Sequence, residues 1–125
     1  MTTSEIATVL AWHDAVNDSD IDTLLELSSD DIELASPTGA SQGLAALREW
    51  ASTAGIRLTP GRMFVHHGIV VVEEKMSQQS DPAGVSTVAS AFRVVEDQVT
   101  AVYRHPDLAS ALAATDLSED DLVEI

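Results

Sequence analysis

The chain has 125 residues, 45% of them hydrophobic, a formal net charge of −15 at pH 7 and no cysteine. That length suits one domain with a sizeable core and is too short for two, and the lack of thiols excludes disulfides and thiolate chemistry. With 6 Lys and Arg against 21 Asp and Glu, nucleic acid and anionic membrane surfaces are poor partners, because binding them depends on cationic side chains.

No apolar run approaches the ~20 residues that cross a bilayer. Met1-Thr2-Thr3-Ser4-Glu5 lacks the basic and apolar regions of an export signal, so a cytoplasmic protein is expected. The same opening has capping-box spacing, and Ile6, Val9, Leu10, His13 and Val16 then recur at helical intervals, predicting a first helix to about Asn17 with Trp12 beside its stripe. His13 on that stripe reads as a packing residue. Asp20 caps a short second helix carrying Ile21, Leu24 and Leu25, and a strand over Ile32–Ser36 runs into the turn Pro37-Thr38-Gly39. Ser41 then reads as the cap of a third helix, with Leu44, Leu47 and Ala51 on one face, Trp50 near it and Gly55 as a left-handed C-cap.

Thr59-Pro60-Gly61 breaks the chain, and the period changes to two over Arg62–His66, Ile69–Gln79, Val85–Glu96 and Val99–His105. Helices first and strands afterwards mean α+β, with three N-terminal helices packed on an antiparallel sheet. The domain should occupy residues 1–115, leaving 116–125 as an acidic tail that frays or forms one short helix. Both faces of the long strands are fairly apolar: Val88, Ser90, Phe92 and Val94 point one way, Val85, Thr87, Ala89, Ala91 and Val95 the other. Helices cover one face, so the other is expected to pair with a second copy in a sheet-to-sheet homodimer.

The order of elements, the link Val16-Asn17-Asp18-Ser19-Asp20-Ile21, the turn Ser36-Pro37-Thr38-Gly39 with Gly43 ahead of helix three, and the ending Val99-Thr100-Ala101-Val102-Tyr103-Arg104-His105-Pro106-Asp107-Leu108 resemble the nuclear transport factor 2-like superfamily, its SnoaL-like branch in particular. The resemblance implies a strongly curved sheet wrapped with the helices into a cone, often dimeric, with an internal pocket. It also implies what is missing. Ketosteroid isomerases carry a carboxylate base where Ser36 stands, a tyrosine near Trp12 and a carboxylic acid near Ser90. Limonene epoxide hydrolases carry an Arg-Asp pair where this chain has Glu74 and Met76, and a second Asp that Asp107 matches.

Three residues are candidates for catalysis. Counting back from a two-residue turn at Asp97-Gln98 makes Ser90 and His105 cross-strand neighbours on one face with Phe92 and Tyr103, where His105 would act as acid-base. In its plain reading His105 fills an aromatic slot at a strand end. Glu74 either faces inward with Val72 and Met76, pairing with His105, or is an exposed acid beside Lys75. Asp107 reads first as the N-cap of a helix over Leu108–Leu112 and second as a ligand-contacting acid. The pocket wall is expected from Trp12, Ser36, Trp50, Met76, Ser90, Phe92 and Tyr103. His66-His67 is not a metal pair, since adjacent strand residues face opposite ways and no third or fourth ligand has suitable spacing. No cofactor motif is present. The expected function is binding of a small, largely apolar molecule, the reaction being unassigned; the alternatives are an isomerase, polyketide-cyclase-like enzyme or hydrolase using His105, and a dimeric interaction module whose pocket is filled.

Overall fold

The computed structural model describes residues 2–37, 39–53, 55–78 and 80–123. Helix α1 spans Thr2–Asn17, α2 Ile21–Glu26, α3 Leu44–Thr53 and α4 Leu108–Thr115. The strands are β1 Ser28–Ser36, β2 Gly39–Gln42, β3 Ile56–His66, β4 Ile69–Gln78, β5 Asp81–Val95, β6 Gln98–His105 and β7 Leu122–Val123. They form one curved, unclosed sheet in the order β2-β1-β6-β5-β4-β3-β7. Every pairing is antiparallel except β1 with β6, which run parallel.

Alternation along the strands sorts side chains onto two faces. The inner face meets α1, α2 and α3, and there Val9, Trp12, Leu24, Leu47, Leu58, Val72, Phe92 and Val102 make the main core. Asn17 ties α1 to β3 with two bonds to Leu58, its Nδ2 donating to the carbonyl and its Oδ1 accepting from the amide, each at 2.8 Å. That satisfies an edge that β7 does not reach, since β7 pairs only with Met63 and Phe64.

The outer face is where expectation and structure part. A second cluster of Phe64, Val71, Ala89, Ala91, Ala111 and Leu117 buries this face under α4 and the segment after it. The chain therefore covers with its own fourth helix much of the surface that the sequence assigns to a second copy. The acidic tail contributes too. After α4 ends on Asp116 at φ 64, Leu117 is buried, Ser118 and Asp121 form a capping box around a 3-10 turn, and β7 extends the sheet.

Three local expectations also shift. β3 runs through Thr59-Pro60-Gly61 with a bulge between Pro60 and Met63; Pro60 is tolerated on this edge strand, and a Cβ on Gly61 would stand 3.0 Å from the Glu73 carbonyl oxygen. Ser41 is not a helix cap but belongs to β2, paired with Leu34, and Gly43 at φ 96 leads into α3. β5 already begins at Asp81, ahead of Val85. The capping box read at the start of α1 rests on a side chain outside the described residues. Asp20 and Gly55 play the expected parts: Asp20 accepts from Thr23 N, and Gly55 takes a left-handed φ of 58.

Candidate functional site

An inner cavity of about 290 Å³ opens between the sheet and the helices. Its aromatic wall starts from Trp12 on α1, whose indole N–H donates to Ser28 Oγ at 3.2 Å while Ser28 donates to Leu24 O at 2.8 Å. With its one polar atom engaged, Trp12 presents only ring. Trp50 of α3 lies nearly parallel to it, centroids 6.0 Å apart, and Phe92 meets its edge at 5.3 Å. Leu34 and Ala35 of β1, Val102 of β6 and Ala40 and Ser41 of β2 complete the lining with Ser36 and Arg104.

Arg104 stands out chemically. Its guanidinium carbon lies 5.7 Å from the Trp50 ring centroid, a cation-π distance worth about 0.5–2 kcal/mol. Its Nε is shielded from solvent and has no hydrogen-bond partner among the described residues. A buried donor left in that state costs about 1–3 kcal/mol.

Behind the cavity wall runs a buried polar chain. Ser90 Oγ donates to Glu74 Oε1 at 2.6 Å, Glu74 Oε2 meets His13 Nε2 in a close contact, and His13 Nδ1 lies 2.8 Å from Val9 O. All three side chains are buried. The Val9 carbonyl has no hydrogen to give, so Nδ1 carries the proton that bonds them. One further proton lies between Nε2 and Oε2, and whichever atom holds it the pair as a whole is neutral. That is how a glutamate can be 0% exposed here. The order hydroxyl, carboxylate, imidazole is not a nucleophile relay, which needs the imidazole against the hydroxyl.

On the opposite face a larger hollow of about 640 Å³ lies beside α4, bounded by Ile69, Ala91, Arg93, Tyr103, His105 and Ala114 among others. Ala35, Ser36 and Arg104 border both hollows. Among the described residues there is no cluster of side chains able to hold a metal ion.

Residues 9–102, three quarters of the chain, match the family model of the SnoaL-like domain. This is a SnoaL-like protein. Its fold is shared with an NTF2-like protein of unknown function from Cytophaga hutchinsonii, at 11% identity and a TM-score of 0.74 over 86% of this chain and 94% of that one. A candidate polyketide cyclase from Sinorhizobium meliloti is 20% identical with a TM-score of 0.72, over 79% and 94% of the two chains. A candidate ketosteroid isomerase from Kribbella flavida is 15% identical with a TM-score of 0.74, over 85% and 80%. At such identities these likenesses show the fold alone. No curated protein matches the sequence.

Of the residues expected in the pocket of this SnoaL-like protein, Trp12, Ser36 and Trp50 line the inner cavity. Phe92 supports it from behind, Met76 packs into the inner core, and Ser90 is buried against Glu74. His105 and Tyr103 require correction: both lie on the outer face. The turn is Glu96-Asp97, at φ 51 and 64, two steps from the expected pairing, which alone would keep the faces as read. A bulge between Arg93 and Val94, with Thr100 as the extra residue, then inverts them, so that Ser90 faces Arg104 and His105 faces Ala89.

Glu74 points inward as one reading holds, but its partner is His13, not His105. His13 is thus more than packing. Asp107 is the N-cap of α4, accepting from Ser110 N at 2.8 Å, and that bond holds its carboxyl below the usual value. Tyr103 donates to Glu33 at 2.8 Å, and this bond first, then burial, raises its phenol above the ordinary value. Sequence reasoning missed Leu34, Val102 and Arg104 because each depends on strand facing. The one available signal for Arg104 was that it is the lone Lys or Arg in the strand Gln98–His105.

Proposed function

We propose that this SnoaL-like protein binds a small, flat, largely apolar molecule in the inner cavity. The observation that carries the reading is the open space of about 290 Å³ beside two stacked indoles, one of them locked in place by Ser28. Small-molecule sites begin near ~300 Å³ and are mostly apolar with a few placed polar groups. A self-filled interaction module fits less well, because the space is not occupied by the protein's own side chains. An enzyme using His105 fits less well too, because that imidazole faces away from the cavity and no carboxylate or imidazole is among its described lining residues. Among the described residues no helix is long and apolar enough to cross a membrane.

The chain has two tryptophans and both bound the cavity, so intrinsic fluorescence reports on it directly. Titration with 1-naphthol should give a saturable change, and Ala40→Phe, which places a ring in the mouth, should weaken it roughly tenfold or more. A wild-type signal that never saturates up to the solubility limit, or one indifferent to Ala40→Phe, removes the reading.

A further inference from the structure

Resting on the cavity reading, one feature narrows the ligand class. The protein carries 21 acids against 6 Lys and Arg, so carboxylates are plentiful, and Arg62 shows the usual outcome by pairing with Glu73 at 3.0 Å. Arg104 does otherwise. Its cross-strand neighbour Ser90 gives its hydroxyl to Glu74, the carboxylate of Glu74 is taken up by Ser90 and His13, and Arg104, the charged residue among those lining the inner cavity, keeps an Nε with no hydrogen-bond partner among the described residues. The Trp50 ring fixes the guanidinium from one side without using any of its N–H donors. A guanidinium held this way presents a planar fork, the group best matched to the two oxygens of a carboxylate.

We propose that the cavity takes a planar aromatic carboxylate, its ring between the apolar wall and the indoles of Trp12 and Trp50 and its two oxygens on Arg104. The apolar lining would supply contact area; the guanidinium would supply selection for charge and shape. Removing the charge from the ligand leaves the N–H donors facing a poorer acceptor, and removing the fork from the protein leaves the carboxylate desolvated without a partner.

The test compares 2-naphthoate with 2-naphthamide, its neutral counterpart of nearly the same shape, by tryptophan fluorescence and calorimetry on the wild-type protein and on Arg104→Met and Arg104→Lys. Expected are binding of the naphthoate at least about tenfold tighter than of the amide in the wild type, loss of that preference in Arg104→Met, and partial retention in Arg104→Lys. Equal affinities for acid and amide in the wild type would overturn the carboxylate assignment while leaving the cavity reading in place. Binding of neither probe, nor of 1-naphthol, would overturn both. The wild-type comparison needs no variant to fold, and circular dichroism of each variant separates lost binding from lost structure.

Discussion

Glu74 and His13 show what one buried residue demands of another. Each is fully buried, and each is tolerable only because the other, with Ser90 and the Val9 carbonyl, completes its hydrogen bonds. Removing one partner leaves a polar group in the core without a counterpart, which typically costs about 3–5 kcal/mol. Glu74→Leu alone and His13→Leu alone should each lose that much in urea unfolding. The double substitution should lose clearly less than the sum, since two apolar side chains then share the space. Additive losses would show that the pair is not a unit. At this scale the sequence was only partly legible. Asp20 and Asp107 could be read as caps because a cap is a local pattern, whereas His13 and Glu74 are 61 positions apart and nothing nearby in the chain announces their meeting.

Between residues and fold stand the strands, and one bulge decides which side chains see the cavity. Strand periodicity placed β4 and β6 closely and began β5 late, and it grouped Ser90 with Phe92 and Ala89 with Ala91 correctly. The pairing of β5 with β6 could not be read the same way, because a single extra residue at Thr100 reverses the facing of everything after it. Thr100 Oγ1 lies 3.4 Å from Arg93 O across the irregularity. This facing has a direct check. His105→Ala should leave 1-naphthol affinity within about twofold of wild type, while Val102→Ala, on the inner face, should weaken it several-fold, roughly the loss expected for removing an apolar contact. The opposite ranking would place β6 the other way round.

For the whole molecule, α4 changes the accounting of surfaces. Because it lies over Phe64, Val71, Ala89 and Ala91, the outer face is no longer a bare apolar sheet, and Val85, Val95 and Leu122 are the large hydrophobic residues that stand exposed among those described. We retain the homodimer as a proposal with a smaller seat, the hollow beside α4 where Ile69 and Tyr103 are only half-buried. Sedimentation velocity at micromolar protein should then give a mass of two chains; a single chain under those conditions ends the proposal.

Composition and periodicity by themselves determined that the fold is α+β with three helices ahead of its long strands, and the element order with its turn and closing motifs pointed to the SnoaL-like family. Those are properties of short windows, where propensity, capping and alternation act within a few residues. Only the tertiary structure decided that Glu74 meets His13, that Arg104 rather than His105 faces the cavity, and that the chain's own last helix covers the outer face. Each of these depends on contacts between distant segments, and a slip of one residue in register, costing little locally, exchanges one face of a strand for the other.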